Sequence, residues 1–443
     1  MNRTVTLAAA VAAILGTATA VAQQGASGPT IAQAAASTNN IYIAGSSAAK
    51  NAVLGALVTN VCGGAANALQ IASTGNTNFF DVSCTPVAAV GASNGGVYNI
   101  FYRDEGGSVS GMLPIANGVK VNQLSLGGIS SVAPAVTGES TTNGIDDSFG
   151  PAGTLAKEIV DIGISDVEPG ALIGNNYPSA YLTSVWGATN PAGLVNLAGT
   201  QLFDEVYGLF VNENSSAFTE NPLSLSVQTV QQILTHKIKN WSLVTDVNGA
   251  KVTNASLAIT IVNREQGSGS RTAADLLIAG DVCTTGGGTM FNAATATQYF
   301  STGDVLTAAA AVPGAITYAT IDQSKANLVQ VALNGVTPSN LAAASGLYPF
   351  WVEATYVVNP ASTADSNVVN FIATALQTEA TAPHLVDVLA IPGVPSGAGN
   401  VAHSVIANSA STVAALGSAT IYTNPFSRGG TTCNAPSFVA AAQ

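Results

Sequence analysis

Short apolar runs closed by Gly, Ser or Asn alternate along this chain with stretches of helical period. Ile41–Ala44 reads as a strand, closed by Gly45-Ser46-Ser47 and followed by a helix over Ala48–Val58. Val97–Tyr102 reads as a second strand, ending at Gly106-Gly107-Ser108. Ile159–Ile164 is a buried-strand pattern ending at Ser165-Asp166, and Val206–Val211 is another short strand. Ser226–Leu234 has helical spacing. Ile259–Val262 leads into Asn263-Arg264-Glu265-Gln266-Gly267-Ser268-Gly269-Ser270 and a helix from Arg271 to about Ile278. Strands at Ala315–Ala319 and Ala354–Val358 and a helix over Asn367–Gln377 complete the pattern. Strands alternating with helices predict an α/β fold with largely parallel sheets, and no fixed-period repeat is present.

Composition narrows this picture. Residues 1–22 read as an export signal: Arg3 precedes an uncharged apolar run over Leu7–Gly16, and Ala20-Val21-Ala22 offers a small-x-small cleavage pattern before Gln23. No Cys follows that site, so a lipid anchor is not expected, and no later stretch is long and apolar enough to span a bilayer. The location implied is periplasmic or secreted. Residues 23–39, rich in Gln, Ala, Ser and Gly, read as a flexible lead-in. Hydrophobic residues make up 47% of the chain and charged residues only 8%, against about 25% charged in ordinary soluble domains. A large core is therefore available under a surface solvated mainly by uncharged polar groups. The net charge of −12, with 12 Lys and Arg in all, argues against nucleic acid, which needs clustered basic residues. A single buried anion remains compatible, because exposed charges are screened within about 10 Å. The four cysteines predict disulfides in an exported chain: Cys62–Cys84 is favoured as the local pair, and Cys283–Cys433 follows by elimination.

The chemistry-bearing residues share one local design. Gly45-Ser46-Ser47, Gly107-Ser108 and Gly267-Ser268-Gly269-Ser270 each follow a strand and open a helix or possible helix. Free N–H groups at such a turn point outward with the positive helix end, and Ser hydroxyls add donors. Any one of these turns, taken alone, is an ordinary N-cap; three in one chain point to a shared anion. Arg264, just ahead of Ser268, offers a planar forked donor, against the plainer reading of a surface Arg paired with Glu265. Asp166 ends an apolar strand, where a turn cap is the plainer reading.

These residues, in this order, resemble the phosphate-binding proteins of ABC transporters (PstS type), within the class II periplasmic binding proteins. The resemblance runs from about residue 40 to about residue 400. Ile43-Ala44-Gly45-Ser46-Ser47 looks like the family's first phosphate loop, Gly107-Ser108 its second, and Asp161–Asp166 its Asp-bearing strand end. Arg264–Ser270 is similar to R-x-x-G-S-G-T, with Ser for the final Thr. Thr235–Trp241 is similar to G-K-I-x-x-W without the Gly, and Pro313–Tyr318 to P-G-A-I-G-Y with Thr317 for Gly. Ala48 stands where the family often has Phe.

The resemblance implies a two-lobed fold with a ligand cleft, lobe one taking residues 40–200 and 345–443 and lobe two 201–344. It implies that Ser47, the backbone at Ala48, and Ser108 donate to phosphate from lobe one, where Asp166 accepts. Arg264, Ser268, Gly269 through its N–H, and Ser270 would grip it from lobe two. Phosphate at neutral pH keeps a proton to give Asp166, whereas sulfate has none and meets a repelling carboxylate. An ABC transporter permease is the implied partner; no cofactor, metal or catalysis is implied. A secreted or surface-associated protein that scavenges phosphate, adheres or assembles on the same fold stays open. A hydrolase reading rests on Gly91-Ala92-Ser93-Asn94-Gly95 alone, which lacks the strand–turn–helix setting of a nucleophile elbow.

Overall fold

The computed structural model describes residues 22–75, 78–87, 95–126, 135–136, 155–174, 177, 191–214, 217–219, 222–280, 297–299, 301–321, 323–379, 388–389, 403–406, 423–424 and 426–438. Residues 1–21, the Gly-, Ser- and Thr-rich segment 127–153 (apart from 135–136), the 91–94 stretch and Cys283 lie outside them.

The segment 23–39 is not the flexible lead-in its composition suggests. Strand β1 (Ala22–Gln24) pairs antiparallel with β3 (Leu69–Ala72), and helix α1 (Ile31–Ala36) opens on a reciprocal cap. There Thr30 Oγ1 accepts from Gln33 N, and Gln33 Oε1 accepts from Thr30 N. Such a capping box satisfies two otherwise orphaned donors of a short helix, which low complexity in the sequence obscured.

Strand β2 (Asn39–Gly45) leads into α2 (Lys50–Ala56), continued by a π-helical turn over Leu57–Val61. Strand β4 (Phe79–Cys84) follows β3, and β5 (Tyr98–Arg103) is followed by α3 (Gly107–Asn117). A disulfide joins Cys62 to Cys84 with Cα atoms 5.6 Å apart, as the local-loop reading expects. Cys433 is also disulfide-bonded. The single strand read over Ile159–Ile164 is two: β7 (Leu155–Ile159), paired with β6 (Lys120–Leu124), and β8 (Ile162–Ser165), paired with β2. Asp161 makes the break, accepting from Tyr42 N at 2.8 Å and from Ser362 Oγ at 2.5 Å.

The next strand, β9 (Thr200–Asn212), is longer than the run Val206–Val211 implied, because Asp204 and Glu205 are buried within it. After α4 (Val227–Leu234) come β10 (Thr260–Arg264), α5 (Gly269–Ala274) with a π-helical turn to Ala279, and β11 (Thr297–Tyr299). Helix α6 (Thr302–Ala310), β12 (Ala315–Thr320), β13 (Leu328–Leu333), β14 (Trp351–Val358) and α7 (Ser366–Glu379) follow.

One mixed sheet threads the molecule in the order β1-β3-β4-β5-β2-β8-β14-β9-β12-β10-β11, with β13 also against β9. The β5–β2–β8 and β12–β10–β11 groups are parallel, while β8–β14, β14–β9 and β9–β12 are antiparallel. The expectation of largely parallel sheets therefore holds for those two groups alone: β1–β3, β3–β4 and β4–β5 are antiparallel too, as are the pairings where the lobes join. The join is β9 itself: Thr200–Val206 pairs with β14 in the first lobe, and Tyr207–Val211 pairs with β12 in the second. The change of neighbour falls inside the strand. The return crossing runs alongside it: Tyr207 N donates to Phe350 O at 2.9 Å, Tyr348 Oη donates to Tyr207 O at 2.8 Å, and the Tyr207 and Phe350 rings stack at 5.3 Å.

Glycines set α3 close on this sheet. A Cβ on Gly111 would lie 2.4 Å from Ala44 O, and one on Gly163 would lie 2.4 Å from Gly111 O. Only bare backbone permits that approach, and it places the start of α3 beside the ends of β2 and β8.

Candidate functional site

The three glycine–serine turns and Asp166 converge where the lobes meet. In the first turn, Ser46 Oγ accepts from the N–H groups of Ala48 and Ala49 at 3.0 and 2.9 Å. The Ala48 N–H, expected to face an anion, is therefore spent on a local cap, the usual way a helix start satisfies its orphan donors. Ser47 reaches across the cleft, its Oγ 3.2 Å from Thr302 Oγ1. Thr302, the first residue of α6, was missed in the sequence; the S-x-x-D capping box of Ser301 and Asp304 marks the helix start, but not its place in the cleft.

At the second turn, Ser108 is fully buried and its Oγ accepts from Asp166 N at 3.1 Å. The neighbouring Val109 N donates across to Gly267 O at 2.9 Å. The third turn lies directly opposite. Ser268 caps α5 by accepting from Arg271 N, and Ser270 Oγ donates to Asp166 Oδ2 at 3.0 Å. Gly269 sits so close to the first lobe that a Cβ there would lie 2.4 Å from Ser108 Oγ and 2.8 Å from Asp166 Cβ. The structure thus brings Ser108, Asp166, Ser268, Gly269 and Ser270 into one place, with Ser47 and Arg264 beside them through Thr302.

Arg264, only 1% exposed, is no surface residue. Its Nη1 donates to Thr302 Oγ1 at 3.2 Å, and its Nη2 lies 3.5 Å from Glu265 Oε1. Its backbone is pinned from behind: its N–H donates to Asn263 Oδ1, which also accepts from Tyr318 Oη, and its carbonyl accepts from Arg271 Nη1 at 3.2 Å. Arg271 in turn reaches Gln298 and Asp275. The guanidinium is therefore aimed by a buried framework that sequence spacing could not supply.

The carboxyl groups of the cleft feel its dryness. Burial raises Asp166 above the ordinary carboxylate range, and the Arg264 charge pulls the other way. Burial likewise pushes Glu265 up to about 8, again opposed by Arg264. Asp166 Oδ1 is buried and has no hydrogen-bond partner among the described residues. A carboxyl oxygen in that condition costs free energy unless something fills its bonding capacity. Chemically the arrangement offers one cation and several hydroxyl and N–H donors to a compact oxyanion, plus one acceptor for a proton that the oxyanion carries. No cluster of His, Cys, Asp and Glu suited to a metal occurs among the described residues, and no helix there is long and apolar enough to cross a membrane.

Several solved structures resemble this chain. A putative phosphate ABC transporter substrate-binding protein from Clostridium perfringens is 13% identical with a TM-score of 0.44, over 75% of this chain and 93% of that one. An ABC-type phosphate transport receptor from Vibrio cholerae is 14% identical with a TM-score of 0.42, over 78% and 97%. A high-affinity periplasmic phosphate-binding protein, PfluDING, is 14% identical with a TM-score of 0.42, over 85% and 92%. None of the curated proteins matches the chain. The model of the PBP superfamily domain matches residues 207–377, from the first crossing through the second lobe to α7.

Proposed function

We propose that the chain is an exported solute-binding protein of PstS type, which captures phosphate or a similar tetrahedral oxyanion between its lobes for ABC-type uptake. The observation that carries this reading is the buried Asp166 Oδ1, without a partner among the described residues, in a cleft that also holds Arg264 and a set of hydroxyls. An oxyanion with a proton satisfies both signs at once. Ser47, Ser108 and Thr302 would donate from around it, Arg264, Ser268 and Gly269 N–H from the second lobe, and Asp166, held there by Ser270, would accept its proton. The function is binding and release without catalysis, with the two crossings at Val206–Tyr207 and Tyr348–Trp351 serving as the hinge. A ligand touching both lobes favours the closed form by its differential affinity.

Calorimetric titration of the phosphate-stripped mature protein with phosphate and then sulfate tests this. Phosphate should bind tightly and sulfate weakly. Arg264→Ala should lower phosphate affinity by roughly 30-fold or more, the cost of removing one partner from a buried charged contact, and a wild-type affinity in that variant would exclude the site. Silence toward both anions in the wild-type protein would overturn the reading as a whole.

A further inference from the structure

Behind Asp166 runs a chain of buried oxygen atoms. Ser270 Oγ donates to Asp166 Oδ2 at 3.0 Å and lies 3.2 Å from Tyr207 Oη, which donates to Glu205 Oε2 at 2.8 Å. All four side chains are buried, and Glu205 and Tyr207 share one face of β9 at the crossing between lobes. The chain has three links, yet its two hydroxyls hold only two protons, and an ionised carboxylate has none to give. With both carboxylates ionised, one link would set lone pair against lone pair in a dry interior, where an unmade hydrogen bond is most costly. One further proton completes every link, and it can sit at either end. A proton on Asp166 gives Asp166→Ser270→Tyr207→Glu205; one on Glu205 gives the reverse order. Passing between the two needs only that each hydroxyl hands on one proton and receives another, with no heavy atom moving.

We infer that Glu205 and Tyr207 are positioning residues that keep one exchangeable proton on this chain, and so decide whether Asp166 meets a bound oxyanion charged or neutral. This rests on the oxyanion reading above. Charged, Asp166 repels an oxyanion with no proton, such as sulfate, and selects one that still bears a proton for Oδ1; neutral, with the chain's proton on Oδ2, it keeps Oδ1 as an acceptor and loses that repulsion. The surroundings fit. Arg264 faces Asp166 across the cleft and favours its charge, whereas burial disfavours it more strongly. Tyr102, from β5, feels Asp166, Glu205 and Asp104, and Asp104 is itself paired with Lys50 at 3.0 Å. Tyr207 lies well above the ordinary phenol range, through burial and both carboxyls. It therefore stays protonated and passes protons on without ionising.

Infrared spectra of the ligand-free protein at neutral pH test the stored proton directly. Tyr207→Phe cuts the chain, so that Ser270 alone satisfies Asp166 and no extra proton is required. The carbonyl stretch of one protonated carboxyl should disappear relative to wild type. Glu205→Gln should lose the same band, because an amide N–H replaces the carboxyl proton and the chain is complete with Asp166 ionised. Unchanged spectra in both variants would overturn the inference, whether or not any oxyanion binds. Competition of sulfate against phosphate between about pH 5 and 8 gives a second readout. The wild-type ratio should shift toward sulfate as pH falls, and both variants should flatten that slope. Identical slopes in all three proteins would also overturn it. A wild-type protein that binds neither anion would instead remove the proposed function, leaving the infrared result to decide the relay.

Discussion

Asp166 and Gly269 show how little freedom single positions in the cleft have. Asp166 accepts from Ser270 through one oxygen, and its other oxygen is buried without a partner among the described residues, where the proposed function has it take the ligand's proton. Asp166→Asn removes the repulsion toward a proton-free anion and supplies an N–H, so sulfate should gain on phosphate by roughly 30-fold or more. An unchanged ratio in paired titrations would take Asp166 out of the selectivity. Gly269 faces Ser108 and Asp166 without room for a methyl group. Gly269→Ala forces the lobes apart or displaces both partners, and phosphate affinity should fall roughly ten- to hundredfold, in line with overpacking elsewhere. Isothermal titration beside a circular dichroism spectrum separates that effect from unfolding.

At the level of elements, β4 carries a carboxyl that its sheet does not favour in charged form. Asp81 is buried and pushed up to about 8 by desolvation, although Ser83 Oγ donates to it at 2.5 Å. The sign follows from the shift. An acid group whose folded value lies above its unfolded value of 3.8 holds its proton in the folded state while the unfolded chain has released it. Stability should therefore fall as pH rises between about 4 and 8. Asp81→Asn should remove this slope and raise the melting temperature at pH 8 relative to wild type, as differential scanning calorimetry at several pH values would show. The capping box of α1 is a smaller case of element-level stabilisation. Thr30→Ala deletes the acceptor for Gln33 N and should cost about 1 kcal/mol, measured by denaturant unfolding.

Across the whole molecule, the segment 426–438 binds the two sequence-distant parts of the first lobe together. Glu353 of β14 accepts from Ser427 Oγ, Arg428 N and Gly430 N, as well as from Gln201 Nε2. Arg428 lies 4.7 Å from the Trp351 ring centroid and donates to Pro349 O, next to the return crossing. Thr431 and Thr432 donate to Glu168, just beyond Asp166. Removing residues 426–443 strips Glu353 of three donors while leaving it among buried strands, and takes the disulfide-bonded Cys433 away as well. The loss should be about 3–5 kcal/mol, as for other buried charges deprived of a partner, and a thermal melt would show it as a drop of several degrees. An unchanged melting temperature would mean that this segment only rests on the lobe.

Local order alone determined much of this protein. Each apolar run ended by Gly and Ser became a strand end with a helix start, because backbone periodicity and capping act over a few residues, and so the three turns, Arg264 and Asp166 were legible together. The local Cys62–Cys84 bridge was legible for the same reason. Tertiary structure decided what depends on residues far apart in the chain. Glu205 falls just outside the run Val206–Val211 that reads as a strand, yet it is buried in the middle of β9, where the Tyr207 hydroxyl partners it and also reaches Ser270. Thr302 reads as an ordinary cap and stands between Ser47 and Arg264 only because the lobes close on each other. The Ala48 N–H was assigned to an anion and is held by Ser46, a choice between two acceptors that geometry alone makes. Periodicity reports which side of an element is apolar; which polar groups meet on that side is settled by packing, where burial makes every unmatched donor or acceptor costly.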